Sequence, residues 1–269
     1  MGEKVQKSIK EIEKADHPRE LSRVIQYLKD RECEEGGFSF VQDLYPNVED
    51  TYYAIRTLQL LMADIDRIKT ANYLKSIIWK EVYYPRIVYM LLYLHLSLHI
   101  ELPLSLVELA KKDWSRFHIL DTQYYSDEIQ KLLNQPLKPL RFLSSFQFQA
   151  HENLQSLRKK ASVLIDLNID FDRHQIIRWV QLCQNGDGGF GFYPETKTSY
   201  MENIFCALEI LSKLQASPCR IDTCREYILG CQTKSGGFGR APISFPFIES
   251  TFQAVAGLFI LEKMERGNT

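Results

Sequence analysis

The chain lacks any long apolar run. No stretch reaches the roughly 18 uninterrupted apolar residues of a membrane-spanning helix. The N-terminal MGEKVQKSIKEIEK is charged and has no apolar signal core, so a cytoplasmic protein without a transmembrane segment is expected. Charge of one sign is missing too: 33 Lys and Arg stand against 34 Asp and Glu, a formal net charge of -1, which argues against a general nucleic-acid surface. Cysteine is sparse. Six thiols (Cys33, Cys183, Cys206, Cys219, Cys224 and Cys231) in 269 residues make no disulfide-dense framework, and reduced thiols are expected. There is no phosphate-cradling glycine loop of the P-loop or dinucleotide kind, and no Ser-His-Asp or Cys-His constellation. No strand pattern and no linker rich in Gly, Ser or Pro divides the chain.

What the chain has is repetition. The stretch CQNGDGGFGFYPETKTSYMENIFCALEILSKL (183–214) is copied by ECEEGGFSF with NVEDTYYAIRTLQLL, and by CQTKSGGFG with FIESTFQAVAGLFIL. Each copy ends an amphipathic run, turns at Gly-Gly-Phe, crosses a polar loop and opens a second apolar run with a glutamate: Glu49, Glu202 or Glu249. Gly188 and Gly236 are 48 residues apart, and Gly36 and Gly188 are 152, close to three such periods, so two degenerate units are expected between them.

A glycine pair after a helical run supplies the left-handed backbone that ends a helix, and the adjacent Phe can plug the seam to the next unit. Each unit therefore reads as a helix hairpin. The remaining pairs read as a helix opened by Asp16 and Pro18 with Glu49 to Met62, then Arg67 to Trp79 with Pro85 to Ile100, and Leu104 to His118 with Asp121 to Asn134. A fourth pair is broken by Pro136 and Pro139 and has a helical second half. Asp172 to Cys183 pairs with Tyr200 to Leu214, and Arg220 to Cys231 with Ile248 to Met264. This predicts an all-α domain over 16–269 after a flexible leader at 1–15. Apolar content of 45% and aromatic content of 12% suit such a core. Six hairpins can form an open superhelix or close into a ring. The second helix of each clear pair is the more apolar and should be inner. Closure would gather Glu49, Asp50, Glu202 and Glu249 at one mouth, with Tyr52, Tyr53, Phe205 and Phe252 below.

QNGDGGFG and QTKSGGFG resemble the repeats of squalene and terpene cyclases and of protein prenyltransferase β subunits, the α/α-toroid family. The resemblance implies a toroid of about six hairpins and an isoprenoid ligand in an aromatic-lined lumen, with Tyr52, Tyr53, Phe205 and Phe252 shaping the cavity. Acid-initiated cyclisation would rest on Glu49 and Asp50 in NVEDT, where the cyclases carry Asp-x-Asp-Asp, with Glu49 kept protonated by burial and by Asp50. Prenyl transfer would use Arg240, shortly after Gly-Gly-Phe, and Lys197 in the preceding repeat to hold a diphosphate. The zinc positions of the prenyltransferases fall on Glu202, Ile204 and Glu249; the Cys and the His are missing, so zinc is not expected, while magnesium could accompany a diphosphate. A non-catalytic lipid-binding or protein-interaction toroid, and a β-like subunit needing a partner, remain open alternatives. His95 and His99, four apart, could share a helix face as metal ligands or satisfy local hydrogen bonds.

Overall fold

The Gly-Gly-Phe turns form as their chemistry predicts. Gly36, Gly188 and Gly236 have φ of +96, +88 and +98°, in the left-handed region that glycine enters without a Cβ penalty. In each copy the same two backbone bonds close the turn, as in Thr233 N–H to Gly237 O at 2.8 Å and Gly236 N–H to Thr233 O at 3.1 Å. The following Phe38, Phe190 and Phe238 are buried. Their bridges to Glu32, Gln184 and Gln232 are isolated pairings rather than strands.

The computed structural model describes residues 19–41, 44–82, 84–114, 119–137 and 153–267. Among them it has eleven α-helices: α1 Arg19–Lys29, α2 Val48–Leu60, α3 Arg67–Lys75, α4 Pro85–Ser97, α5 Leu104–Ala110, α6 Ile119–Leu132, α7 Leu154–Asp166, α8 Arg173–Leu182, α9 Met201–Lys213, α10 Ile221–Gly230 and α11 Ile248–Gly267. Helices α2, α4, α6, α7, α9 and α11 pack each against the next, and α11 packs back on α2. This is a closed inner ring of six. Helices α1, α3, α5, α8 and α10 lie outside it. Helix α1 is amphipathic: it buries Leu21, Val24, Tyr27 and Leu28 at helical spacing while Ser22, Arg23 and Gln26 face out. The outer helix expected before α7, the proposed leader, and Asp16 and Pro18 lie outside the described residues.

Two helices are shorter than the periodicity predicts. Helix α3 stops at Lys75 rather than Trp79, because the Ser76 hydroxyl donates to the Tyr73 carbonyl at 2.8 Å and takes up an end group of the helix; a 3₁₀ turn follows at Trp79–Glu81. Helix α5 ends at Ala110, before the charged run Lys111, Lys112, Asp113.

The first glycine of each turn also sets the spacing between units. A Cβ on Gly36 would collide with the Lys69 carbonyl oxygen of α3, on Gly188 with that of Thr223 in α10, and on Gly236 with that of Arg23 in α1. The last contact joins the last unit to the first. There the Arg23 guanidinium donates to the carbonyls of Thr233, at 3.1 Å, and Lys234, at 2.6 Å.

Candidate functional site

Because all six inner helices start on the same side of the ring, equivalent side chains form layers. The second turn of each helix brings one side chain inward, three residues after the rim position: Tyr52, Tyr89, Tyr124, Arg158, Phe205 and Phe252. Five are aromatic and one is a cation. With their neighbours Tyr53, Tyr93 and Tyr125 they make a continuous belt. Ring centroids step from Tyr93 to Tyr52 at 5.3 Å, to Tyr53 at 5.2 Å, to Phe252 at 5.3 Å and to Phe205 at 5.6 Å. A second arm runs from Tyr52 to Tyr89 at 5.9 Å, to Tyr125 at 6.1 Å and to Tyr124 at 5.0 Å. Such separations suit edge-to-face and offset packing.

Two arginines stand inside this belt. Arg56 lies over Phe252 at 4.5 Å, Tyr93 at 5.3 Å and Tyr52 at 5.4 Å, and donates to the Tyr52 hydroxyl at 2.8 Å. Burial opposes its charge, but the phenol oxygens of Tyr52, Tyr89 and Tyr93 outweigh that, so its pKa is raised. Arg158 lies over Tyr124 at 5.3 Å and Phe205 at 5.9 Å and is paired with Glu209 at 2.8 Å.

At the rim, Arg86 of α4 takes the position that Glu49, Glu202 and Glu249 hold in their own helices. Its Nη2 lies 3.1 Å from Glu49 and 3.8 Å from Glu249, and it donates to the Tyr53 hydroxyl at 3.2 Å. Tyr53 in turn donates to Glu249 at 2.9 Å; burial, then the charge of Glu249, pushes its phenol well up. Beside Arg86 opens a recess of about 400 Å³, floored by Tyr125 and flanked by Glu49, Asp121 and Lys159. Lys159 pairs with Asp121 at 2.7 Å.

The two expected acids separate. Glu49 is half exposed, whereas the proton-donor expectation rested on burial. Asp50 ties down the preceding loop, accepting from Phe40 N–H at 3.1 Å and from Asn47 Nδ2 at 2.6 Å. Burial raises the Asp50 carboxyl above its usual range, and these two bonds pull it back. Arg240 is bonded to Glu202 and lies 4.9 Å over the Tyr200 ring; Lys197 is exposed in the loop before α9. Tyr52 and Phe252 are buried in the belt, Tyr53 and Phe205 half-buried.

The zinc positions inherited from the resemblance present Glu202 paired with Arg240, buried Ile204, and Glu249 bonded to Tyr53. That set does not fit a zinc site, which draws on thiolate, imidazole and unencumbered carboxylate. Among the described residues no three His, Cys, Asp or Glu side chains come together as a metal-binding group. His95 is buried with Nδ1–H donating to the Glu101 carbonyl at 2.7 Å, while His99 sits beyond the end of α4 in a left-handed conformation, so the two do not share a helix face.

Sequence reading missed Arg56, Arg86, Tyr89, Tyr93, Tyr124, Tyr125 and Arg158. The signal was available: aligning the degenerate inner helices on α2 puts Arg86, Asp121 and Gln155 at the rim, and Tyr89, Tyr124 and Arg158 in the layer below.

A closed inner ring of helices, with further helices packed outside it and an aromatic interior, defines an α/α toroid. The chain belongs to the prenyltransferase alpha-alpha toroid domain family, whose model matches residues 6–82 and 120–269. Among solved structures it is similar to Candida albicans protein geranylgeranyltransferase-I complexed with GGPP, at 19% identity over 90% of this chain and 78% of that one, with a TM-score of 0.37. The comparison with curated proteins found no match. No helix among the described residues is long and apolar enough to cross a membrane.

Proposed function

We propose that this prenyltransferase-like toroid takes an isoprenoid chain, as a prenyl diphosphate or related polyprenyl compound, into its ring. The observation that carries this reading is the aromatic belt, continuous over five inner helices and partly reached by solvent at Tyr53, Tyr89, Tyr93 and Phe205. A branched, unsaturated chain laid against it removes apolar surface from water, worth about 25 cal/mol per Å². In acid-initiated cyclisation Glu49 and Asp50 would supply the acid; burial raises the Asp50 carboxyl, against the bonds it accepts from Asn47 and Phe40. In prenyl transfer Arg240 would have to exchange Glu202 for the diphosphate. Magnesium would come with the diphosphate, since Glu49 and Asp121 in the recess are already paired with Arg86 and Lys159.

The test is incubation of purified protein with geranyl, farnesyl and geranylgeranyl diphosphates and squalene, with and without zinc or magnesium, followed by mass spectrometry. A cyclised or transferred product supports an enzyme, binding without turnover supports a lipid-binding toroid, and no binding removes the isoprenoid reading.

A partner-dependent subunit is the second reading, favoured by one feature of the mouth. The loops that precede α2 and α11 meet where Phe40 stacks on Phe247 at 5.7 Å, and they expose Val41, Leu44, Tyr45, Ile243 and Phe245. Apolar exposure on this scale marks interaction surfaces. Co-purification of a stoichiometric protein would support it, and a well-behaved monomer with isoprenoid turnover would oppose it.

A further inference from the structure

Among the described residues, the charges that line the recess beside Arg86 form two ion pairs and cancel: Arg86 with Glu49 at 3.1 Å, and Lys159 with Asp121 at 2.7 Å. Both pairs stand at one ring. The Lys159 ammonium lies 5.6 Å from the Tyr125 centroid, and the Arg86 charge reaches the Tyr125 phenol, where it opposes the rise that burial causes. All four charged side chains are open to solvent, from Lys159 at 22% to Glu49 at 46%. Tyr84, Pro85 and Ile87 add apolar wall to this space of about 400 Å³. A ligand of one charge matches it poorly. An anion would draw a cation off its carboxylate, a cation would do the reverse, and either leaves a partly desolvated charge without its partner. A ligand carrying both charges exchanges pair for pair. Each pair can also admit one end of such a ligand. Arg86 keeps a second carboxylate, Glu249 at 3.8 Å, when Glu49 turns to a ligand ammonium. Lys159 has three N–H donors and can hold a ligand carboxylate beside Asp121.

We propose that the recess is a site for a small zwitterion, an α-amino acid with an apolar side chain. Its ammonium pairs with Glu49, its carboxylate with Lys159, and its side chain lies on Tyr125 and Ile87. This is a second ligand and goes beyond the isoprenoid reading, since Arg240, on which diphosphate binding would rest, is bonded to Glu202 and does not line the recess. Tyr125 belongs both to the recess floor and to the aromatic belt, so the two ligands would share one wall of the ring.

Calorimetry on the full chain tests the site with phenylalanine, phenylalaninamide, N-acetylphenylalanine and inorganic pyrophosphate, at about pH 6 where the free amines are protonated. The amide lacks the carboxylate charge and the acetyl form lacks the ammonium. Expected is binding of phenylalanine at least tenfold tighter than either. Glu49→Gln should bring phenylalanine down to the level of N-acetylphenylalanine, and Lys159→Gln down to the level of phenylalaninamide. No binding of phenylalanine, or equal binding of either blocked form, overturns the proposal; equal binding of N-acetylphenylalanine would point instead to the end of a peptide chain. Pyrophosphate that displaces phenylalanine overturns it in favour of an anion site. Should Lys159→Gln not fold, the wild-type comparison and Glu49→Gln still decide. Farnesyl diphosphate, titrated separately, reports on the isoprenoid reading: a protein that binds phenylalanine but no farnesyl diphosphate keeps this site and loses that reading, and the converse loses this site alone.

Discussion

Gly236 lies so close to Arg23 that a Cβ on the glycine would stand 2.8 Å from the Arg23 carbonyl carbon, and its φ is +98°. This contact joins the last unit of the ring to the first. Replacing Gly236 by Ala adds left-handed strain to a backbone collision, and a loss of about 3 kcal/mol is expected. Gly186→Ala is the control, because an added Cβ there meets nothing within 4 Å; its effect should stay within about 0.5 kcal/mol. Urea unfolding measures both, and equal losses would show that the seam is not what Gly236 provides.

Asp127 is buried, and burial pushes its carboxyl up to about 6, against a Gln123 amide that donates to it at 2.6 Å. A carboxyl raised on folding holds its proton in the folded state while the unfolded chain has already lost it. Stability therefore falls as pH rises from about 4 to about 6, and the full penalty stands above that. Asp127→Asn should raise stability at pH 7 by up to about 2 to 3 kcal/mol and flatten the slope between pH 4 and 6. Unfolding curves of the two proteins that stay parallel across that range would contradict it.

The thiols should react in three classes. Cys183, Cys206, Cys224 and Cys231 are buried, and burial pushes each up to about 12. Cys33 is half-buried, bonded to the Leu44 carbonyl and also raised by burial, whereas Cys219 is exposed. A thiol reagent added to the native protein at pH 8 should label Cys219 quickly and Cys33 slowly, and reach the other four only in denaturant. Rapid native labelling of Cys206 would mean that the ring opens readily.

Glu49→Gln should change stability by less than about 1 kcal/mol, since its ion pair with Arg86 joins two side chains that are both more than a third exposed. Whatever turnover the protein shows, this variant then reports on chemistry rather than folding. Full activity would remove Glu49 as the acid, and complete loss with ligand binding retained would establish it.

Much of the fold was legible because its signals are local. Gly-Gly-Phe ends a helix wherever it occurs, and a glutamate opens the next one, so three strong copies and their period were enough to place six inner helices. The candidate site was legible only where the repeats are strong. Tyr52, Tyr53, Phe205 and Phe252 were found, but their counterparts Tyr89, Tyr124 and Arg158 lie in units that have lost the glycines. Asp50 and Glu49 are neighbours in sequence, yet one helix turn directs them to different partners, the loop at Phe40 and the rim at Arg86.

By itself the sequence determined an all-α repeat with apolar inner helices, a polar exterior and no helix fit to span a membrane, because each of these follows from composition and from spacing within a single unit. Tertiary structure alone decided that the repeat closes and what its interior holds. Tyr53 and Glu249 are 196 residues apart and bond only because α11 returns to α2. Arg56 comes to lie among the rings of Tyr52, Tyr93 and Phe252 only because α4 and α11 both pack on α2. Pairings of this kind depend on where the last unit meets the first, which no single repeat encodes.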